Sequence, residues 1–425
     1  MKILLKNGKD AYGLPLSVAI DGPLIVASEN FVADEVIELA GKIILPGFVD
    51  LHTHLREPGK EDSETVATGS RAAAKGGFTA VSAMANTSPV ADTAGVVEQV
   101  FRLGKEAGLT DVFPIGAVTQ NLEGKVLAEI GAMADSAARV RIFSDDGHCV
   151  SDPVVMRRAL EYVKKFDGAI AQHAQDPALT QGSQMNEGIV SSVLGLRGWP
   201  AVAEEAIIAR DVLLADHVGS RLHICHLTTR GGVEIIRWAK SRGINVTAEV
   251  TPHHLILTDE LARSYDPIYK VNPPLRTESD VMALREALAD GTIDVVGTDH
   301  APHAAEAKEC EWQDAAFGML GLESAFSIVY KTMVESGLMS LSTLVERMSS
   351  TPAKIGRYGA HGQKIEPGSV ANLVVIDPTT TWRVDKDKVQ SKSRNTPFHG
   401  MELPGVITHT LLSGSLVLRD GKVAG

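Results

Sequence analysis

The chain is expected to adopt an α/β fold, a (β/α)8 TIM-type barrel joined to a small β domain formed from both termini. Three observations predict it. Eight short β-rich runs alternate with helix-like stretches through the middle of the chain, both ends are β-rich with turn punctuation, and histidines and aspartates recur where the middle runs stop. Strands alternating with helical patterns imply parallel pairing through crossover units. The 425 residues fit one such barrel, commonly about 250 residues, plus a smaller partner. The expected division is 1–46 plus 356–425 for the β domain and 47–355 for the barrel.

Residues 1–46 read as short strands: Lys2 to Lys6 before Asn7-Gly8, Leu16 to Ile20 before Asp21-Gly22-Pro23, then Leu24 to Ala27. Steps such as Asn-Gly and Gly-Pro are turn signals. From about Gly356 the pattern returns, with Ala371 to Pro378, Thr408 to Gly414 and Leu416 to Leu418. Neither end is large enough to bury a core alone, so the two are expected to pair.

Between them lie the runs Ile43 to Leu51, Phe78 to Met84, Val112 to Val118, Val140 to Phe143, Ala169 to Gln172, Arg221 to Cys225, Asn245 to Val250 and Ile293 to Gly297. Amphipathic stretches such as Met156 to Lys165 and Ala203 to Ala215 separate them, the second with Glu204, Glu205, Arg210 and Asp211 on its polar side. In barrels of this kind the catalytic groups sit at the C-terminal ends of the strands. Here the runs end in His52-Thr53-His54, Asn86-Thr87, Asp145-Asp146, His173, His226, His253-His254 and Asp299-His300. Taken singly, His173 or His226 reads as a core histidine and Asp145-Asp146-Gly147 as a turn. As a set, in a chain with 14 histidines, they read as a metal-competent cluster.

His52 and His54, at i and i+2 of a strand, face the same way and can reach one metal ion from one side. Arg56, next in that series, can reach a bound anion. A two-metal site needs imidazoles and carboxylates, at least one of which bridges. The available set is His52, His54, His173, His226, Asp299 and a carboxylate from Asp145 or Asp146, since alternation lets only one of those two point inward. Such metals lower the pKa of bound water toward neutrality and polarise a carbonyl, which suits hydrolysis of an amide or its reverse. A carboxylate touching both metal and water can pass the proton to a leaving nitrogen, the role expected of Asp299. Cys225, one residue before His226, should face the opposite way and pack.

The net charge of −12 counts against nucleic-acid binding, where a basic face is expected; metals or a local arginine can still draw an anion into a cleft. Cys149, Cys225 and Cys310 are odd in number and widely spaced, which suits a reducing cytoplasm. No apolar run suffices for a signal peptide or for the roughly 18 residues of a membrane helix. A cytoplasmic protein acting on a small molecule, with no membrane or nucleic-acid partner, is expected.

With these residues in view the sequence resembles the cyclic amidohydrolases of the amidohydrolase superfamily, most closely the bacterial type I dihydroorotases. The resemblance covers nearly the whole chain. It is carried by His52-Thr53-His54-Leu55-Arg56-Glu57-Pro58-Gly59, Asn86-Thr87-Ser88-Pro89, Phe143-Ser144-Asp145-Asp146-Gly147, His223-Ile224-Cys225-His226, Val271-Asn272-Pro273-Pro274, Thr298-Asp299-His300-Ala301-Pro302-His303 and Lys392-Ser393-Arg394-Asn395-Thr396-Pro397. It implies reversible ring closure of N-carbamoyl-L-aspartate to L-dihydroorotate in pyrimidine biosynthesis, a pair of Zn2+ ions per subunit, and a homo-oligomer able to associate with an aspartate carbamoyltransferase. It also implies that His52, His54, Asp146, His173, His226 and Asp299 are the metal ligands, with Asp299 shuttling the proton. Arg56 and Asn86, beside His54, would hold the substrate carboxylate; Asn272, His303 and the backbone around Phe317-Gly318 would hold the ring.

Related hydantoinases, allantoinases and many dihydroorotases bridge their metals with a carboxylated lysine, and here no lysine stands in Phe143-Ser144-Asp145-Asp146-Gly147. An aspartate offers the same bridging carboxylate on a shorter arm, as in the type I group, and the choice of Asp146 over Asp145 rests on that resemblance. Ala85 stands where the family commonly has proline, leaving the turn that carries Asn86 less rigid. Ala304 to Gln313 is expected to be a mobile loop over the site. Two other readings remain. A hydantoinase or allantoinase would bind an uncharged ring and not need the charge-assisted clamp of Arg56. An inactive scaffold for aspartate carbamoyltransferase would tend to lose the metal histidines, all of which this chain keeps.

Overall fold

In the computed structural model, which describes residues 1–424, eight strands run parallel in two sheets. Phe48–Thr53, Phe78–Ala83 and Asp111–Pro114 form one; Ile142–Phe143, Ala169–Gln172, Arg221–Ile224, Val246–Val250 and Val295–Val296 form the other. Single parallel bridges join the sheets at both seams, Gly116 to Phe143 and Thr53 to His300. Phe48–Thr53 and Phe78–Ala83 are buried at every position, as parallel strands covered on both faces must be, so that Asp50, His52, Thr53, Thr79 and Ser82 are buried along with their apolar neighbours. Val49, Leu51, Ala80, Ile142, Ala171 and Val295, from five of these strands, meet in one cluster with Ala353 and Ile355 of helix Thr351–Gly356.

The outer layer is helical. Pro153–Val163 starts where Asp152 accepts hydrogen bonds from Val154 N and Val155 N, with proline in the first turn, the arrangement that satisfies the orphan donors of a helix start. Its Met156, Ala159, Leu160 and Val163 are buried and belong to the large core shared with the strands. Val202–Val218 exceeds the expected stretch by a few residues at its C-terminal end. Among the described residues, no helix is long and apolar enough to cross a membrane.

Strands from the two ends of the chain meet in one sheet. Lys2–Lys9, Pro15–Asp21, Leu24–Val26, Glu35–Glu38 and Ile43–Pro46 share one nine-stranded sheet with Leu373–Arg383, Glu402–Leu412, Ser415–Arg419 and Lys422–Val423. The seam between the two ends is the antiparallel pairing of Ile43–Pro46 with Leu373–Arg383. Ile3, Leu5, Ile20, Leu39, Leu373 and Leu411 form its apolar cluster.

The structure differs from the expected elements most informatively in the first parallel run. The single run Ile43 to Leu51 is two strands in two sheets, broken at Gly47, where a Cβ would lie 2.3 Å from Thr79 Cγ2. One apolar run therefore passes from the terminal sheet into the parallel ladder. The runs Val112 to Val118 and Ile293 to Gly297 also shorten to Asp111–Pro114 and Val295–Val296, because the residues beyond the ladder turn toward the strand ends. A small pair, Met185–Asn186 with Gly198–Trp199, is too short to carry a periodic signal.

Phe48, just past the break, is fully buried, edge-on to Phe78 with centroids 5.8 Å apart and stacked on Phe326 at 5.4 Å. Phe48→Ala is expected to cost about 3–5 kcal/mol, read as a lower urea midpoint at unchanged slope.

Candidate metal centre

The six groups expected to form the site all fall where a parallel strand stops. His52 lies in Phe48–Thr53 with His54 just beyond; Asp146 follows Ile142–Phe143, His173 follows Ala169–Gln172, His226 follows Arg221–Ile224 and Asp299 follows Val295–Val296. All six are buried. Asp146 sits at their centre. Its Oδ2 faces His54 Nε2 at 3.3 Å and His52 Nε2 at 3.5 Å, and its Oδ1 faces His226 Nε2 at 3.0 Å and His173 Nδ1 at 3.1 Å. Asp299 Oδ1 completes the first group, 3.0 Å from His54 Nε2 and 3.5 Å from His52 Nε2. His226 and Asp299 adopt positive φ, 29° and 45°, a sparsely populated conformation held only where the surroundings impose it.

The far sides of the rings fix their protons. His52 Nδ1 donates to Glu249 Oε1, His54 Nδ1 to Asn86 Oδ1 at 3.0 Å, and His173 Nε2 to Gln175 Oε1 at 2.7 Å. A neutral imidazole with its proton on one nitrogen has a bare lone pair on the other. The bare nitrogens of His52, His54 and His173 thus all point at carboxylate oxygens, lone pair against lone pair. His173 Nδ1 is also 2.9 Å from His226 Nε2, and His52 Nε2 and His226 Nδ1 are buried without a hydrogen-bond partner. Protons or metal cations must lie between these groups. Imidazole nitrogens and carboxylate oxygens gathered around both oxygens of Asp146 fit divalent metals. The ligand atoms of His52, His54 and Asp299, and of His52, Asp146 and His226, each lie within 4.8 Å of one another.

Titration reflects the same demand. Burial opposes the charged form of His52, but Glu249, Asp146 and Asp299 outweigh it and hold the imidazole well above its ordinary range. His54 is raised against its burial by the bonds to Asp146 and Asp299. Asp146 and Asp299 are buried yet held below the carboxylate range, chiefly by the charge of His52. Without metals the site draws protons to stand in for them.

Arg56 reaches this cluster by a different route from the expected one. The strand ends at Thr53, so Arg56 arrives through a turn, at φ 63°, and not by strand alternation. Its Nε donates to Pro302 O at 3.0 Å, and Nη2 lies 3.4 Å from His303 Nε2. Burial brings it down to about 10, so it stays charged at neutral pH. Asn86 spends its Oδ1 on His54, leaving Nδ2 for a ligand. Its turn is fixed without the missing proline, because Ala85 O accepts from Thr87 N at 2.9 Å and Ala91 N at 3.0 Å. His303 Nε2 donates to Phe317 O at 2.7 Å. Gly318 has φ 147°, and a Cβ there would come within 2.7 Å of His303 Nε2, so only glycine fits. Asn272 Nδ2 donates to Gln175 Oε1 at 3.4 Å, and its Oδ1 is buried without a partner.

Asp145 turns away from the imidazoles. Its carboxylate accepts from Val118 N at 2.8 Å, Thr119 N at 2.9 Å and the Thr119 hydroxyl. His254 and His300 also stay out of the cluster: His254 Nε2 donates to Pro273 O at 3.2 Å, and His300 Nε2 to Glu64 Oε2 at 3.4 Å. Cys225 packs with Leu51 and Ala171 close to His52 and Glu249, and burial pushes its thiol up to about 12. Sequence reasoning missed Glu249, which besides His52 accepts from His226 N at 3.2 Å and lies 3.2 Å from His223 Nε2. An acid inside the buried strand Val246–Val250 needs a partner, and that signal was readable. Gln175 was also missed, though it stands at i+2 from His173.

The family model described as Dihydro-orotase-like matches residues 41–232. A protein named dihydroorotase from Streptomyces coelicolor is 65% identical over 425 residues, 99% of each chain. Another from Mycobacterium tuberculosis is 55% identical over 389 residues, 92% of this chain and 90% of its own. Among solved structures, the L-hydantoinase (dihydropyrimidinase) from Arthrobacter aurescens superposes with a TM-score of 0.87 at 26% identity, covering 100% of this chain and 97% of its own.

The bonds of Asp145 generate a stability prediction. Asp145→Ala strands two buried backbone donors, at about 1–3 kcal/mol for each left unpaired. In chelator-treated protein its thermal midpoint is expected to fall clearly below wild type.

Proposed function

Because this chain belongs to the dihydroorotase family, we propose that it catalyses the reversible ring closure of N-carbamoyl-L-aspartate to L-dihydroorotate. The eight parallel strands are read as a closed (β/α)8 barrel over 47–355, with 1–46 and 356–425 as a small β domain. The observation that carries the reading is Asp146, set between His52 and His54 on one oxygen and His173 and His226 on the other. These residues and Asp299 would hold a pair of Zn2+ ions, Asp146 offering one carboxylate oxygen to each pair of imidazoles. Bound there, the metals supply Lewis acidity that polarises the scissile carbonyl and acidifies water.

The chain's own groups bind, orient and move protons. Arg56 offers a charge-assisted clamp for the carboxylate that both substrate forms carry, and Asn86 Nδ2 adds a neutral donor beside it. Asn272, His303 and the backbone of Phe317 and Gly318 line the edge where the ring would lie. Asp299 turns Oδ1 to the imidazoles, which leaves Oδ2 for the proton. Held ionised, it takes a proton from water in ring opening and gives it to the nitrogen released as the C–N bond breaks; ring closure reverses both transfers. The family reading extends to a cytoplasmic homo-oligomer able to dock an aspartate carbamoyltransferase, which light scattering on the protein alone and mixed with the transferase would measure.

The hydantoinase fold match supports a second reading, action on an uncharged ring, and Arg56 discriminates between the two. Arg56→Met is expected to lower kcat/KM for dihydroorotate by about 100-fold or more with metal content unchanged. Comparable wild-type rates on hydantoin and dihydroorotate would sink the substrate assignment. Metal analysis is expected to find about two zinc ions per chain, falling in Asp146→Ala together with activity. Asp145→Ala, once folded, should keep its metal; loss there and retention in Asp146→Ala would overturn the bridge.

A further inference from the structure

Lys270 and Lys308 are buried, with 1% and 6% exposure, and every hydrogen bond from their ammonium groups goes to a backbone carbonyl. Taking an ammonium group out of water without a counter-charge is costly. Burial, reinforced by the neighbouring Lys270, brings Lys308 down to about 7. Two such groups side by side call for a reason beyond filling space.

Their bonds close the segment 304–318 onto residue 270. Lys308 Nζ donates to Lys270 O at 3.1 Å and Ala316 O at 2.9 Å; Lys270 Nζ donates to Trp312 O at 2.6 Å and Gln313 O at 3.1 Å. Gly318 N returns a bond to Lys270 O at 3.0 Å. The Lys270 ammonium also lies over the Phe317 ring, 4.5 Å from its centroid, a favourable cation–π placement. On its other side Phe317 O receives His303 Nε2, which sits 3.4 Å from Arg56 Nη2. A continuous path thus runs from the two lysines through Phe317 and His303 to the arginine, and Lys270 stands two residues before Asn272. The stretch expected to be a loose loop is tied down, with a short helix Ala305–Lys308 at its start.

We propose that Lys270 and Lys308 are positioning residues: a buried lysine strut that holds the Phe317–Gly318 backbone and Asn272 in place opposite Arg56 for an anionic ring substrate. The inference rests on the dihydroorotase reading for the identity of that substrate. The strut touches groups that hold the ring and none of the clustered imidazoles and carboxylates, so its loss removes binding felt equally in ground and transition states.

The test uses zinc-loaded full-length protein with Lys308→Met, Lys270→Met and the conservative Lys308→Arg, assayed on dihydroorotate, with hydrogen exchange over 304–318 as a second readout. Both Met variants are expected to raise KM about tenfold or more while kcat stays within about threefold, and to exchange faster in that segment; Lys308→Arg should recover most of the KM. If a Met variant fails to fold, Lys308→Gln takes its place with the same expectation. Unchanged KM and exchange in the variants, or a fall in kcat at constant KM, would overturn the strut while leaving wild-type turnover intact. Absence of wild-type turnover would instead bring down the dihydroorotase reading, and exchange unchanged in the variants would then still count against the strut.

Discussion

The proton of His52 sits on Nδ1 because Glu249 accepts it there, and the same logic at Asn86 and Gln175 fixes His54 and His173. These outer partners decide the chemistry of the inner ring. By holding each imidazole in one tautomer they turn bare nitrogens onto Asp146 and Asp299, a buried arrangement that is repulsive until cations occupy it. Such partners orient ligands and raise their basicity in metal sites generally. Here they also make metal binding and the order of the site one process, since the folded arrangement gains whatever free energy the cations supply.

The fold serves this arrangement by stopping its strands early. Ile142–Phe143 and Val295–Val296 are each only two residues long, and the residues after them leave the ladder and bend inward. His226 and Asp299 take positive φ at such bends, and Arg56 does the same after Thr53. Regular pairing would aim alternate side chains up and down the wall; a bend can aim one group at a chosen point. Local strain at these three residues is thus bound up with bringing several strand ends to one centre.

How much of the fold and the site is legible varies with what each feature leaves in the sequence. Ala169–Gln172 is legible to the residue because a parallel strand buried on both faces is a bare apolar run between polar segments. The run from Ile43 misleads, since apolar character does not name the sheet a residue pairs in, and only the crowding at Gly47 reveals the break. His52, His54, His173, His226 and Asp299 stand out because histidines and acids at strand ends are rare by chance. Glu249 leaves a fainter trace, one acid in a buried strand. Lys270 and Lys308 leave none, because their partners are backbone carbonyls, which every residue carries.

The paired aspartates show why neighbouring identical residues need not be interchangeable. An aspartate has a short arm, so a carboxylate that is to lie among four imidazoles must have its backbone brought close to them. Asp146 stands three residues past Phe143, outside the strand, in a turn anchored to the neighbouring chain segment. Ser144 N donates to Gly116 O at 2.9 Å, and Asp146 N donates to Ser144 Oγ at 3.1 Å. Asp145 adds the strongest tie, a buried carboxylate held by Val118 N, Thr119 N and the Thr119 hydroxyl. One aspartate thereby fixes the turn to the adjacent strand end, and the other is delivered to the imidazoles. The motif needs both acids, each for a different bond, and a longer side chain at 146 would overshoot the point to which this anchoring brings it.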